Sequence, residues 1–337
     1  MGDVQCRPPS ADAEASCSLR RSRPGGIPTD GEPFGRSWGD STRERSERRG
    51  ASGRCGDGGS WVGLATLRWY VSRLAIMLGT LMPEQCDRAI RTLDLFAGGG
   101  GLTTGLSLAR GLKVDPVCAV EFDLSAAATY TLNHGGRIED GRVVGGTVYA
   151  GRIQDWLQDV EPVEVDLVVG GPPCQGFSTL GKQDVDDDRN FLWRRYAEAV
   201  KRSTPKFFVL ENVPAFLTSP QWAVFQSELQ SGVLADYKIE FDILNAADYG
   251  AVQARKRVIV IGHHKDLPAP GLPRKTHEHQ HRTLDEIFQH IPNAVDRVGL
   301  PEGTVTYGGV DRPGAFSTRE LHFGRFYTDL SLKRFAS

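Results

Sequence analysis

An alternation of two apolar patterns is the feature of this sequence that most limits its possible folds. From about Arg91, short apolar runs rich in β-forming residues alternate with longer segments whose apolar residues recur every three or four positions. Runs of the first kind suit buried strands, and segments of the second kind can lay one face of a helix on a sheet. The alternation therefore predicts an α/β fold with a doubly wound, mostly parallel sheet.

The predicted elements lie between Arg91 and Gly262. We predict strands at Thr92–Phe96, Val114–Glu121, Val165–Val169, Lys206–Glu211, Ile239–Asn245 and Arg257–Gly262. We predict helices at Leu102–Arg110, Leu124–His134, Phe191–Ser203 and Gln221–Gln230. A sheet of this kind places its chemistry in the loops that follow the carboxyl ends of its strands.

The first 85 residues differ from the rest because they are rich in Arg, Gly, Ser and Pro and have little apolar periodicity. Such a segment buries too little surface to offset its chain entropy, so residues 1–85 are predicted to be a disordered arm. The arm could contact DNA phosphates, or it could be a solvated tail without a role. A third interpretation, which we favour, is that translation begins at Met77 or Met82.

Composition sets further limits on the protein class. The chain has 337 residues and a formal net charge of -2, which excludes a strongly basic nucleic-acid coat but not a local basic cleft. No stretch resembles a membrane span or a signal peptide, so a cytoplasmic protein is expected. The six cysteines lie far apart, which favours free thiols over a disulfide framework or a metal site.

A glycine-rich turn follows the first predicted strand. The run Ala97-Gly98-Gly99-Gly100-Gly101 leads directly into a predicted helix. Glycines at a strand-to-helix turn let the backbone approach a ligand closely, although a plain tight turn is the alternative. A phosphate-gripping NTPase is disfavoured because the pattern G-x-x-x-x-G-K-[ST] is missing after this strand.

The end of the second strand narrows the choice of ligand. Glu121 could accept hydrogen bonds from both hydroxyls of a ribose, and Phe122 could pack on an adenine face. Asp155 follows a further strand and could accept from an adenine amino group. The alternative for Asp155 is a helix N-cap before Trp156.

A second loop, Gly171-Pro172-Pro173-Cys174-Gln175, follows the strand Val165–Val169. Its prolines stiffen the backbone before Cys174, and its glycines allow a substrate to approach. An isolated cysteine is by default a buried structural residue, as we predict for Cys118. Cys174 instead lies in a polar loop beside the predicted cofactor site, which favours a nucleophile.

Two further groups point to the same edge of the sheet. Glu211 ends an apolar strand, so its carboxylate either faces the cleft of Cys174 or forms a structural ion pair. Arg255 and Arg257 fall on the same side of the last strand by alternation. Two guanidinium groups suit a phosphate and a carbonyl oxygen, whereas a lone basic pair is more often solvated surface.

Taken together, these motifs resemble those of the C5-cytosine DNA methyltransferases. The resemblance spans roughly Arg91 to Gly262. It rests on Asp94-Leu95-Phe96-Ala97-Gly98-Gly99-Gly100-Gly101, Gly171-Pro172-Pro173-Cys174-Gln175-Gly176-Phe177-Ser178, Asp188-Arg189-Asn190-Phe191-Leu192, Glu211-Asn212-Val213 and Gln253-Ala254-Arg255-Lys256-Arg257. It implies the Rossmann-like fold of the S-adenosylmethionine-dependent methyltransferases.

The resemblance also implies an activity, the transfer of a methyl group from S-adenosylmethionine to C5 of a flipped cytosine in duplex DNA. Cys174 would attack C6 of the base, Glu211 would protonate or hydrogen-bond N3, and Arg257 would hold O2. Arg255 would bind a phosphate or the Cys174 loop.

The same resemblance assigns binding residues and partners. The cofactor residues would be Phe96, Ala97, Gly98, Gly100, Gly101, Glu121, Phe122, Asp155, Pro173 and Leu192, and the substrate residues would be Pro172, Gln175, Ser178 and Asn212. No metal is expected. The implied partners are double-stranded DNA and a restriction endonuclease of the same system, and the chain is expected to be a monomer.

The match divides the chain into an arm (1–85), a catalytic domain (90–264) and the start of a target-recognition region (265–337). The family's later Gln-Gly-Phe-Pro-like and Ile-Gly-Asn elements are not found in this sequence. We therefore expect an interrupted gene or a partial sequence. The alternative is a partner chain that supplies the missing half. Two other functions stay open. One is a tRNA cytosine-5 methyltransferase, and the other is an inactive remnant that binds cofactor or nucleic acid without turnover.

Overall fold

The computed structural model describes residues 88–109, 113–173, 192–289, 298–299, 303–313, 324 and 327–336. Every structural statement below refers to these residues. The predicted arm (1–85) lies outside them, as do three of the predicted site residues, Cys174, Gln175 and Ser178.

The strands form two sheets. In chain order they are β1 Ile90–Leu95, β2 Val114–Glu121, β3 Gly136–Glu139, β4 Arg142–Gly145, β5 Val148–Ala150, β6 Leu167–Gly170, β7 Phe207–Asn212, β8 Tyr237–Asn245, β9 Lys256–His264, β10 Thr304–Tyr307 and β11 Val310–Pro313. The larger sheet has seven strands in the order β5-β2-β1-β6-β7-β9-β8. Six strands run in the same direction and β9 runs opposite to them, between β7 and β8. The predicted mostly parallel α/β sheet is therefore confirmed.

Helices lie in many of the connections between these strands, and one follows the last strand. They are α1 Gly101–Ser107, α2 Leu124–Asn133, α3 Ile153–Asp159, α4 Leu192–Ser203, α5 Pro220–Ser231, α6 Leu284–Phe288 and α7 Asp329–Ala336, with 3-10 helices at Pro214–Thr218 and Ala246–Tyr249. All six predicted strands and all four predicted helices are present, with ends that differ by three residues or fewer. None of the described helices is long and apolar enough to cross a membrane.

Alternation along the central strands divides the core between the two faces of the large sheet. On β7, Phe208 and Leu210 belong to the cluster on one face, together with Tyr196 of α4, while Phe207 and Val209 belong to the cluster on the other. All five side chains are almost completely buried. Because both faces are covered, ligands can reach these strands only at their ends, which is where the predicted site residues lie.

The second sheet is not predicted by the sequence pattern. It has four strands in the order β11-β10-β4-β3. The strand β10 joins it through the backbone N–H of Thr306, which donates to the carbonyl of Gly141 at 2.8 Å. Thr131 of α2 donates from its hydroxyl to the Tyr307 hydroxyl at 3.3 Å. The domain boundaries at residues 264 and 265 stay a prediction.

Cys118 is fully buried in β2, as predicted for a structural cysteine. The other five cysteines lie outside the described residues.

Candidate active site

The glycine-rich turn after β1 has a backbone that side chains rarely adopt. Gly98 and Gly100 have φ values of 54° and 88°, and Phe96 has a φ of 56° despite its side chain. A non-glycine residue in this region costs free energy, so its neighbours must hold it there. If Gly98 carried a Cβ atom, no described atom would lie within 4 Å of it. The side of the turn on which that Cβ would lie is therefore open to a ligand.

Glu121, at the end of β2, binds the turn directly. One carboxylate oxygen, Oε2, accepts from the backbone N–H of Gly98 at 2.8 Å, and Oε1 accepts from the N–H of Asp123 at 2.8 Å. Glu121 is buried, whereas Phe122 beside it is 71% exposed. The buried carboxylate thus has both oxygens fixed at the end of β2, next to an aromatic ring that projects into solvent.

Four other predicted cofactor residues lie in the glycine-rich turn or in the first turns of helices. Ala97 is buried within it, and Gly101 is the first residue of α1. Leu192 begins α4 and packs against the core, while Asp155 is exposed in the first turn of α3. The alternative interpretation of Asp155 as an N-cap is wrong, because Arg152 holds the N-cap position of α3.

The side chain of Asp94 lies in the core beneath the turn, and no role of its own was predicted for it from the sequence. Its Oδ2 accepts from the Thr103 hydroxyl at 2.7 Å, and Thr103 in turn accepts from the Tyr130 hydroxyl at 3.0 Å. Oδ1 has no hydrogen-bond partner among the described residues. Complete burial raises the pKa of Asp94 to about 7, although the hydrogen bonds from Thr103 act in the opposite direction.

The raised pKa of Asp94 predicts a pH dependence of folding stability. Between the usual pKa of 3.8 and the folded pKa of about 7, the folded state binds a proton that the unfolded state has lost, so stability falls as pH rises through this window. Asp94→Asn removes that titration. The free energy of unfolding is measured for both proteins by urea denaturation at each pH. As pH rises from 5 to 8, the difference between the two should change by about 2–3 kcal/mol in favour of the variant, because only the unsubstituted protein loses this stability.

Asp115→Asn, which removes an exposed carboxylate from β2, is the matched control. A difference between the Asp94→Asn variant and the unsubstituted protein that stays constant from pH 5 to pH 8 would contradict the assignment.

The second part of the site surrounds Glu211, at the end of β7. The Arg257 Nε lies 3.0 Å from Glu211 Oε1, and an Arg255 guanidinium nitrogen lies 4.0 Å from the same oxygen. Both arginines thus reach one carboxylate from the same side of the chain, as strand alternation predicts. Burial raises the pKa of Glu211, while the positive charges of Arg257 and Arg255 oppose this rise.

The loop that leads to Cys174 packs against this group. Asn212 donates from Nδ2 to the carbonyl of Pro172 at 3.2 Å, and its Oδ1 accepts from the backbone N–H of Val213 at 2.8 Å. A Cβ on Gly171 would lie 3.2 Å from Glu211 Oε2. Glycine at this position therefore lets the backbone before Pro173 and Cys174 lie close to the carboxylate.

The two parts of the site begin side by side on the large sheet. Leu95, which ends β1, is paired with Gly170, which ends β6. A Cβ on Gly170 would lie 2.5 Å from the carbonyl oxygen of Leu95, so only glycine fits there. The glycine-rich turn and the Pro-Pro loop therefore leave two neighbouring parallel strands at the same edge.

Two further residues contact the glycine-rich turn and were missed in the sequence. Asn133 and His134, at the carboxyl end of α2, each form a side-chain hydrogen bond to a carbonyl of the turn. A signal was present in the sequence, since both are polar residues at the end of a predicted helix that starts immediately after Glu121, Phe122 and Asp123. Periodicity alone does not say which way such a helix end points.

Comparison with known proteins places these motifs in a family. The model of the C-5 cytosine-specific DNA methylase family matches residues 90–305. Type II methyltransferase M.XorII of Xanthomonas oryzae pv. oryzae is 34% identical over 284 residues, which cover 73% of this chain and 62% of that protein. Type II methyltransferase M1.HphI of Haemophilus parahaemolyticus is 32% identical over 203 residues, which cover 59% and 52%.

A solved structure described as a prophage-encoded DNA modification methyltransferase (E. coli) covers 67% of this chain and 62% of its own, with 26% identity and a TM-score of 0.49. The chain spans about half to three fifths of the length of the two curated relatives.

Proposed function

Because this chain belongs to the C-5 cytosine-specific DNA methylase family, we propose that it transfers a methyl group from S-adenosylmethionine to C5 of cytosine in duplex DNA. The observation that carries the proposal is the ion pair of Glu211 with Arg257, together with the space that Gly171, three residues before Cys174, leaves beside the Glu211 carboxylate. A carboxyl group with a raised pKa, two guanidinium groups and a loop that ends in a cysteine suit a reaction that adds a thiolate to a pyrimidine ring.

The glycine-rich turn and the end of β2 fit an adenosine-containing cofactor. Each carboxylate oxygen of Glu121 already accepts one backbone N–H and can accept a second bond, from a ribose hydroxyl. The exposed ring of Phe122 would cover the adenine face, and the open side of Gly98 would leave room for the ligand. When bound, S-adenosylmethionine supplies an electrophilic methyl group.

The reaction of the base is assigned to residues at the ends of β6, β7 and β9. The thiolate of Cys174 adds to C6 of cytosine, which makes C5 nucleophilic. Glu211 protonates or hydrogen-bonds N3 and so relieves the negative charge that addition places on the ring. Arg257 holds the O2 carbonyl, and Arg255 binds a phosphate or the Cys174 loop.

Release of the product restores the ring. Once C5 carries the methyl group, its proton is lost to a base and the C6–S bond breaks, so the C5–C6 double bond forms again and the Cys174 thiolate is regenerated. The target base must leave the duplex to reach the thiol, which costs a few kcal/mol of stacking and pairing.

The curated relatives are type II methyltransferases, so we place this chain in the same class. We propose a restriction endonuclease of the same system as its functional partner. We also propose that the chain acts as a monomer in the cytoplasm. Duplex DNA is the proposed substrate because the matching family acts on DNA. Transfer to tRNA is an outcome that the test below distinguishes.

The test is a methyl-transfer assay with the 337-residue chain and radiolabelled S-adenosylmethionine. Unmethylated duplex DNA and tRNA are offered separately, and the labelled nucleoside is identified by chromatography. We expect labelled 5-methylcytosine in DNA and none in tRNA. Label in tRNA alone would replace DNA as the substrate, and binding of cofactor without label in either nucleic acid would favour an inactive remnant.

A further inference from the structure

The carboxyl end of α2 forms hydrogen bonds to the glycine-rich turn. Asn133 donates from Nδ2 to the carbonyl of Gly99 at 3.1 Å. The ring of His134 lies next to it, with Nε2 at 3.3 Å from the carbonyl oxygen of Gly100 and at 3.3 Å from the Thr104 hydroxyl. Two consecutive residues, the last residue of α2 and its C-cap, therefore anchor two consecutive carbonyls of the turn.

The fit between His134 and Gly100 is close. A Cβ on Gly100 would lie only 2.4 Å from His134 Nε2, so the imidazole occupies the space that a side chain would need. Gly100 also has a φ of 88°, which favours glycine independently of this contact. Because a peptide group is planar, an anchored carbonyl fixes the orientation of the whole peptide unit that contains it.

The helix that carries these two residues is itself held at both ends. At its start, Asp123 caps the helix by accepting from the N–H groups of Ser125 and Ala126, and the N–H of Asp123 is bound by Glu121. Near its other end, Tyr130 donates from its hydroxyl to the Thr103 hydroxyl of α1 at 3.0 Å. The same helix thus connects the carboxylate assigned to the ribose with the carbonyls of the glycine-rich turn.

We infer that Asn133 and His134 are positioning residues that hold the glycine-rich turn in the conformation that receives the cofactor. This role rests on the proposed function. The residues do not touch the reacting atoms. They act through the backbone of Gly99 and Gly100, whose unusual conformation must be held by neighbours before a ligand arrives.

Loss of either hydrogen bond should weaken cofactor binding more than it slows turnover. Without the anchor, part of the free energy of binding is used to order the turn, so the dissociation constant rises. Removal of one such bond corresponds to an increase of about threefold to tenfold in Kd for S-adenosylmethionine. At saturating cofactor the turn is ordered again, so kcat should stay within about twofold of its original value.

The test compares four variants of the full chain. Asn133→Ala removes an exposed side chain and its donor, and is expected to leave folding intact. His134→Phe keeps a ring without a donor, whereas His134→Gln keeps a donor at a similar distance from the backbone. Gln226→Ala, which removes an exposed amide side chain from α5, is the control, since α5 forms none of the described hydrogen bonds to the turn.

Three quantities are measured for each variant: the Kd for S-adenosylmethionine by calorimetry, the hydrogen-exchange rates of the turn in the cofactor-free protein, and the thermal midpoint. We expect a higher Kd and faster exchange of residues 98–102 for Asn133→Ala and His134→Phe. His134→Gln should recover a Kd close to that of the unsubstituted chain, and Gln226→Ala should match it.

Unchanged Kd values in both Asn133→Ala and His134→Phe would overturn the inference while leaving the proposed function intact. Failure of the unsubstituted chain to bind S-adenosylmethionine would overturn both. If His134→Phe does not fold, the exposed Asn133 position decides the result alone, because its Kd and exchange rates can still be compared with those of the control.

Discussion

Cys174→Ala is expected to lower methyl transfer by about 10⁴-fold or more, because the addition to C6 that activates C5 requires a thiolate. Affinity for the cofactor should change little, since cofactor binding is assigned to the glycine-rich turn and Glu121. Initial rates with radiolabelled cofactor give the first quantity, and equilibrium binding gives the second.

A covalent trap provides a second measurement for the same residue. When fluorine replaces the C5 hydrogen of cytosine, no C5 proton can be lost after methylation, so the C6–S bond should persist. The unsubstituted chain should then form a complex with 5-fluorocytosine DNA that survives a denaturing gel, and Cys174→Ala should form none. A stable complex in the alanine variant would show that another nucleophile attacks the base.

Glu211→Gln should lower kcat/KM by about 10²-fold to 10⁴-fold, the usual contribution of a general acid. The amide can still donate a hydrogen bond to N3, but it cannot transfer a proton. It also leaves the guanidinium groups of Arg257 and Arg255 without their carboxylate, so cofactor affinity and thermal midpoint are measured beside the rate.

The pH profile distinguishes proton donation from a purely electrostatic role. Burial raises the pKa of Glu211, and the protonated form is the one that donates to N3, so kcat of the unsubstituted chain should fall as pH rises through that pKa. Glu211→Gln should lack this fall. Glu198→Gln is the matched control and should keep both rate and profile, because this side chain of α4 is 43% exposed and pairs with Arg195. A basic limb that persists in Glu211→Gln would assign the titration to another group.

The large sheet could be predicted because its central strands are buried on both faces. Runs such as Phe207–Leu210 have no polar alternation, and they lie between helices with clear three- and four-residue spacing. The positions of Glu211, Arg255 and Arg257 followed from strand ends and alternation alone. The local sequence pattern was sufficient to predict the positions of these residues, because strands of a mostly parallel sheet place their functional ends at the same edge.

The small sheet could not be predicted, for two physical reasons. Its strands are four residues long, which is too short for a period-two pattern to stand out. In addition, β10 pairs with β4, a strand about 160 residues earlier, and no local signal records such a partner. The contacts of Asn133 and His134 were missed for the second reason, since they depend on how a helix end meets a turn more than thirty residues earlier.

The interpretation of Asp155 as the N-cap of α3 failed. It was judged from neighbours in sequence, namely an acidic residue directly before Trp156. In the fold, Arg152 begins the helix three residues earlier than Asp155 would have done. Capping depends on backbone conformation as well as on residue type, so one suitable side chain is a weak marker of a helix start.

The pairing of β10 with β4 also sets where this protein can be shortened. The family match ends at residue 305, inside β10, so a fragment cut there would lose half of that strand and the whole of β11. The backbone groups of β4 that face β10 would then form an open edge, and open edges recruit strands from other molecules. We expect such a fragment to aggregate more readily than one that continues through Pro313.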